Sequence, residues 1–189
     1  MAMTLIAGET AVIVLTRDHD VIRDLFEEVE GSETDLRKKL VGDRCMREIE
    51  AHSELERKVF YPAVRRDLGE NELVAQALAE HDAAQRLIDE MKELPAGERY
   101  NVRFRALREI ILPHFEEEET SLLPLVQKSD MDIEQLGEQL VAKKSRIAPS
   151  RGLAVDGGVN IAAVAAVVGV AGAAFWLARR LKGGRRVRS

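Results

Sequence analysis

The stretch His52-Ser-Glu-Leu-Glu56 recurs, 62 residues further on, as His114-Phe-Glu-Glu-Glu118. In each, an imidazole and a carboxylate stand four residues apart, the spacing that puts two side chains on one face of an α-helix. One such pair alone reads as an ordinary surface contact. The repetition extends outward, however. The same shift carries Asp18-His19-Asp20 onto Glu80-His81-Asp82 and Pro62 onto Pro124, so all four histidines, separated by 33, 29 and 33 residues, fall into one pattern. A duplication of this kind means two helix pairs related by an approximate two-fold axis.

The intervening sequence is helical throughout. Val12, Leu15, His19, Ile22 and Phe26 recur at intervals of three and four, with Gly31 past the end. Ser32 to Asp35 resembles a capping box opening a second helix, which runs to about Phe60, where Tyr61-Pro62 predicts an interruption. A third helix fits Asn71 to Leu94, closed by Pro95-Ala96-Gly97. A fourth fits Glu98 to about Leu123, with a kink or restart predicted at Pro113. Asp132 to Lys144 reads as a shorter fifth helix. No stretch shows convincing period-two alternation, so the fold class is all-α. Short connections between four long helices favour an up-down-up-down four-helix bundle with an internal two-fold pseudo-repeat.

In such a bundle His52 with Glu56, and His114 with Glu118, each present an imidazole and a carboxylate together, while His19 and His81 add one imidazole each from the other two helices. Four inward histidines and two inward glutamates at one level describe a dinuclear metal site. A lone histidine on an apolar face is usually a satisfied core residue. Six such groups buried with neither metal nor partners would be costly. Imidazole nitrogen with carboxylate oxygen, and no thiolate, favours iron, manganese or zinc.

Charge divides the chain. The net −5 of the 189 residues conceals 18 basic and 32 acidic side chains in residues 1–142, against ten basic residues and only Asp156 in 143–189. The acidic balance argues against nucleic acid as a partner. One cysteine excludes a disulfide framework and a thiolate cluster. The apolar N-terminus has no basic residue ahead of it and is interrupted by Glu9, unlike a signal peptide. Gly157 to Ala178 are 22 residues without a charge, followed by Arg179, Arg180, Lys182, Arg185, Arg186 and Arg188, with Trp176 beside the basic end. As a helix that run is about 33 Å long, enough for a bilayer core. The expected organisation is therefore a helical domain at 1–145, a linker at 146–158, a transmembrane helix at 159–178 and a basic tail at 179–189. Ala165, Gly169 and Ala173 form a small-residue stripe suited to a homodimer in the membrane. The basic tail alone would stay cytoplasmic and put the domain outside. Lys143, Lys144, Arg146 and Arg151 on the other flank, and the lack of an export signal, favour a cytoplasmic metal domain on a single-pass anchor.

The set His19, His52, Glu56, His81, His114 and Glu118 resembles the signature of hemerythrin-like (HHE cation-binding) domains: His, His-xxx-Glu, His, His-xxx-Glu on four helices. The resemblance covers residues 10–145. It implies two iron ions in a non-haem, oxo- or hydroxo-bridged centre, with Glu56 and Glu118 as the bridging carboxylates. It implies a function among oxygen binding, oxygen or redox sensing, iron sensing, and handling of peroxide or nitric oxide. Oxygen carriers of the family have a fifth histidine where this chain has Gln85. Four histidines and two bridging carboxylates leave an open position on each iron, which suits a sensor or a peroxide- or nitric-oxide-reactive centre better than a carrier. The rival expectation is a non-catalytic iron-binding, iron-sensing interaction module; a structural bundle with vestigial ligands is a third. No hydrolase or transferase signature is present.

Other residues carry lesser expectations. Phe60 and Leu122, each eight residues after a site histidine, roof the centre or pack as ordinary core. Tyr61 falls on the opposite face of an ideal helix from His52 unless Pro62 redirects it. Asp18, Asp20, Glu80 and Asp82 either orient imidazoles or, for most of them, face solvent. Glu116, Glu117 and Glu119 read as a solvated face, with Glu117 a rival ligand. Cys45, seven residues before His52, reads as a buried thiol too far along the helix to ligate.

Overall fold

A computed structural model describes residues 9–150, which belong to one compact unit, Met1–Arg151. Among the described residues the chain is all-helical, with no strand. Helix α1 (Ala11–Glu30) starts at Thr10, whose hydroxyl accepts the Ile13 N–H, and ends at Gly31. Thr34, within the expected capping box, starts α2 (Asp35–Leu55) by accepting the Arg37 N–H at 3.2 Å.

The predicted stop at Tyr61-Pro62 is absent. The chain instead passes through a π-helical turn, Glu56–Phe60, into α3 (Tyr61–Leu68), and stops at Gly69, whose φ of 80° suits a residue without a Cβ. Asn71 then caps α4 (Glu72–Lys92), accepting the Leu73 N–H at 2.9 Å. Gly97 precedes α5 (Glu98–Glu117), which runs unbroken through Pro113 rather than restarting there. A second π turn, Glu118–Leu122, leads into α6 (Leu123–Gln127). The two π turns occupy equivalent positions under the 62-residue shift, and each is followed by a proline. A proline lacks the N–H that a regular α-helix requires and crowds the carbonyl four residues back; a widened turn accommodates both defects without ending the rod.

Two apolar layers fill the interior. One contains Leu15, Leu55, Phe60, Tyr61, Val126 and Leu140. The other contains Ile22, Phe26, Ile49, Ile88, Leu107 and Phe115. Each layer supplies the ordinary hydrophobic stabilisation of buried side chains, about 1.5–3 kcal/mol for each large one. His19, between Leu15 and Ile22, and His52, between Ile49 and Leu55, lie at the boundary of the two.

Helix α7 (Ile133–Ser150) is a fifth rod beyond the four expected to build the bundle, and it extends past the predicted end at Lys144. Buried Leu136, Leu140, Val141 and Ile147 hold it on the first apolar layer, and Ile147 is the apolar contact that the sequence reading assigned to linker. Gly137 lets it approach the backbone of Glu9–Ala11, where an added Cβ would lie 2.9 Å from the Ala11 nitrogen. Lys143 reaches Glu54 at 2.9 Å and Lys144 pairs with Asp18. No helix among the described residues is long and apolar enough to cross a membrane. The expected span at 159–178, its small-residue stripe and the basic tail lie outside the described residues.

Candidate metal centre

Six side chains, each at most 2% exposed, converge where the two apolar layers meet: His19 from α1, His52 from α2, His81 from α4, His114 from α5, and Glu56 and Glu118 from the first positions of the two π turns. The imidazoles face one another in pairs, His19 Nε2 to His52 Nε2 at 3.1 Å and His81 Nε2 to His114 Nε2 at 3.0 Å. The carboxylates lie across both pairs. Glu56 Oε2 is 3.1 Å from His52 Nε2 and 3.2 Å from His81 Nε2. Glu118 Oε2 is 3.4 Å from His19 Nε2 and 3.7 Å from His114 Nε2.

These spacings suit a metal. Donor atoms on neighbouring vertices around an ion at about 2.1 Å are themselves about 3 Å apart. Both oxygens of Glu56 and Oε2 of Glu118 are buried with no hydrogen-bond partner, an arrangement that is expensive unless a cation completes it. The electrostatics agree. Burial opposes charge on Glu56, yet His52 and His81 hold its carboxyl well below the usual range. Burial likewise opposes charge on His52, but Glu56 and Asp18 raise it to about 10. For His81 burial prevails and its pKa is lowered. Glu56 is thus held as a carboxylate, the form that binds a cation, and an ion taken up beside it would displace the His52 proton.

A second layer of carboxylates orients the rings from behind. His19 Nδ1 donates to Glu119 Oε1 at 2.7 Å, and His114 Nδ1 donates to Glu80 Oε2 at 2.9 Å. Asp18, the counterpart of Glu80, approaches His52 Nδ1 only to 3.9 Å and also pairs with Lys144. Asp20 and Asp82 are exposed, so solvent takes two of the four flanking acids rather than most of them. Glu119, read from sequence as part of a solvated face, is the one member of that run that reaches a site histidine. Its partner Arg23 approaches the same oxygen at 2.8 Å and overlies the Phe115 ring, which stacks on His19 at 3.9 Å. An open surface hollow of about 350 Å³ beside Arg23, Phe26, Leu112 and Glu119 touches this outer layer and none of the six inner groups.

Tyr61 is the residue that sequence reasoning placed on the wrong face. Its hydroxyl donates to Glu118 Oε1 at 2.8 Å. The Tyr61 N–H bonds to the Glu56 carbonyl, five residues back rather than four. That extra residue in the turn shifts the phase by about 100° and brings the ring round to the site. Pro62 was the available signal. Phe60 and Leu122 are fully buried in the first apolar layer, Cys45 is buried in the second, and Glu117 accepts from Gln76 at 2.6 Å rather than joining the six.

The chain is similar to known proteins. The family model of the hemerythrin HHE cation-binding domain matches residues 10–126. A DNA nickase from Nostoc sp. (strain PCC 7120) is 28% identical over 137 residues, which are 71% of this chain and 39% of the nickase, so the chain spans about two fifths of that relative's length. The crystal structure of a hemerythrin HHE cation-binding domain-containing protein from Mycobacterium kansasii is similar at a TM-score of 0.64 and 25% identity, over 75% of this chain and 88% of that one.

Proposed function

Because the chain belongs to the hemerythrin HHE cation-binding family, we propose that its six converging side chains hold two iron ions, and that the centre binds, senses or reacts with dioxygen, peroxide or nitric oxide at a membrane. The observation that carries this reading is the burial of Glu56 and Glu118 among four imidazole nitrogens, with three of their four carboxylate oxygens lacking a hydrogen bond. Iron there would supply redox chemistry and a Lewis-acid position for a small ligand.

The protein's own part follows from the geometry. His19, His52, His81 and His114 would hold the ions through Nε2, and Glu56 and Glu118 would supply carboxylate oxygens to them. Glu119 and Glu80 fix which nitrogen of His19 and His114 carries the proton. Tyr61 keeps a proton on the Glu118 side of the site. Phe60, Leu122 and Phe115 exclude water. The 22-residue uncharged run beyond the helical domain is the proposed anchor, with the domain on the cytoplasmic side.

The alternative reading, an iron-sensing interaction module, draws on Lys144, which ties α7 to Asp18 beside His52 and so connects the centre to the helix that precedes the proposed anchor in sequence. Metal analysis of the purified full chain, with peroxide and nitric oxide added to the iron-loaded protein, separates the readings. Two irons per chain, lost in His52→Ala and Glu56→Ala, together with consumption of peroxide or nitric oxide, support the reactive centre. Two irons with no such reaction favour the sensing module, and zinc alone or no metal removes the redox reading. A protease-protection assay on spheroplasts locates the domain.

A further inference from the structure

The two halves of the site are not equivalent, and the departures from two-fold symmetry bear mostly on one metal position. The nearest donor atoms of His19, His52, Glu56 and Glu118 all lie within 4.8 Å of one another; around the other position only Glu56, His81 and His114 do so. Glu118 accounts for the difference. Its Oε1 is held by the Tyr61 hydroxyl, and its free Oε2 stands nearer His19 than His114, 3.4 Å against 3.7 Å. Leu123, the residue equivalent to Tyr61, has no hydroxyl with which to hold Glu56 in the same way.

The second layer differs too. His19 Nδ1 is backed by Glu119 at 2.7 Å. The equivalent of Glu119 in the other half is Arg57, which turns to the Leu78 carbonyl and Asp82, and His81 Nδ1 is buried with no partner. A carboxylate behind an imidazole raises its basicity toward a metal and fixes its orientation; a ring without one has neither advantage. His52 Nδ1 is likewise buried without a hydrogen bond, with Asp18 standing 3.9 Å away, while Glu80 accepts from His114 Nδ1 at 2.9 Å. Each position thus has one imidazole backed by a hydrogen-bonded carboxylate, and the outer layers differ only in the charge near the unbacked ring, Asp18 at 3.9 Å from His52 against no carboxylate at His81, so the inequality rests chiefly on the placement of Glu118.

Building on the dinuclear reading, we propose that the two positions bind unequally. The His19–His52 position fills first and holds its ion more tightly, the His81–His114 position is the labile one, and Arg57 and Tyr61 are the positioning residues that make it so.

The test is anaerobic titration of the metal-free full chain with iron(II), and with cobalt(II) as a visible probe, followed by calorimetry and absorption. Two steps are expected, at least about tenfold apart in Kd, the scale of a second-layer contact. His81→Ala removes the weaker step alone. Glu119→Gln weakens the first step about tenfold or more, while Arg57→Glu tightens the second and narrows the gap. Helicity by circular dichroism checks that each variant is folded. Uptake of two ions in one step of equal affinity, or loss of the tighter step in folded His81→Ala, overturns the inequality and leaves the dinuclear reading standing. No metal uptake by the wild-type chain overturns the dinuclear reading, and this proposal with it.

Discussion

Tyr61 Oη and Glu118 Oε1 are 2.8 Å apart, a hydrogen bond between side chains 57 residues distant in sequence and on opposite halves of the repeat. Burial raises the Tyr61 phenol well above its ordinary pKa, and Glu56 and Glu118 raise it further, so the hydroxyl keeps its proton and remains a donor. This bond fixes one oxygen of a carboxylate whose other oxygen faces the histidines.

Tyr61→Phe removes that donor and leaves the ring packing intact. The metal-free protein is expected to lose about 1–3 kcal/mol, since a buried acceptor loses its partner. Urea denaturation measures it, and an unchanged midpoint would show that water replaces the hydroxyl.

Gly137→Ala inverts a familiar sign. In an exposed helix interior alanine is favoured over glycine by about 1 kcal/mol. Here the new methyl would overlap the Glu9 carbonyl oxygen and press on the Ala11 nitrogen, both backbone atoms that yield only if α7 shifts. A loss of about 1–3 kcal/mol in urea denaturation is expected; a gain would mean that α7 moves away from α1 freely.

Acid should act through Glu119. Burial alone would raise its carboxyl, but His19 and Arg23 hold it down at about 2. The unfolded chain takes up this proton near pH 4.3 or so. The stabilisation is therefore complete above that pH and is lost as pH falls toward 2. In metal-free protein, Glu119→Gln should flatten the decline in stability between those values, and a parallel decline in wild type and variant would assign it to other groups.

Cys45 should be silent. Burial in the second apolar layer pushes its thiol pKa up, so thiolate is scarce at pH 8. Alkylation by iodoacetamide is expected at least about tenfold slower in native protein than in urea. Equal rates would mean that this end of the domain opens readily.

Much of the architecture was legible because helices write their periodicity directly into the chain. Thr10, Asn71, Gly31 and Gly97 mark ends that the structure places within a residue or two of expectation. The convergence of His19, His52, Glu56, His81, His114 and Glu118 was legible from spacing alone, because four-residue separations and an internal duplication are properties of a linear string. What was missed depended on departures from ideal geometry. Pro62 and Pro124 read as stops because a regular α-helix cannot absorb them; a π turn can, and only the surrounding packing shows that it does. Glu119 read as solvent-facing because nothing local distinguishes it from Glu116.

By itself, then, the sequence determined an all-helical, duplicated scaffold and the six polar side chains at its middle level. The tertiary structure decided how symmetric the site is. Tyr61 against Leu123, Glu119 against Arg57, and Lys144 of α7 pairing with Asp18 beside His52 all involve partners from different helices, whose meeting depends on rotation and docking rather than on spacing. A repeat in sequence makes two halves alike only along the chain; contacts across the bundle are free to differ, and here they do.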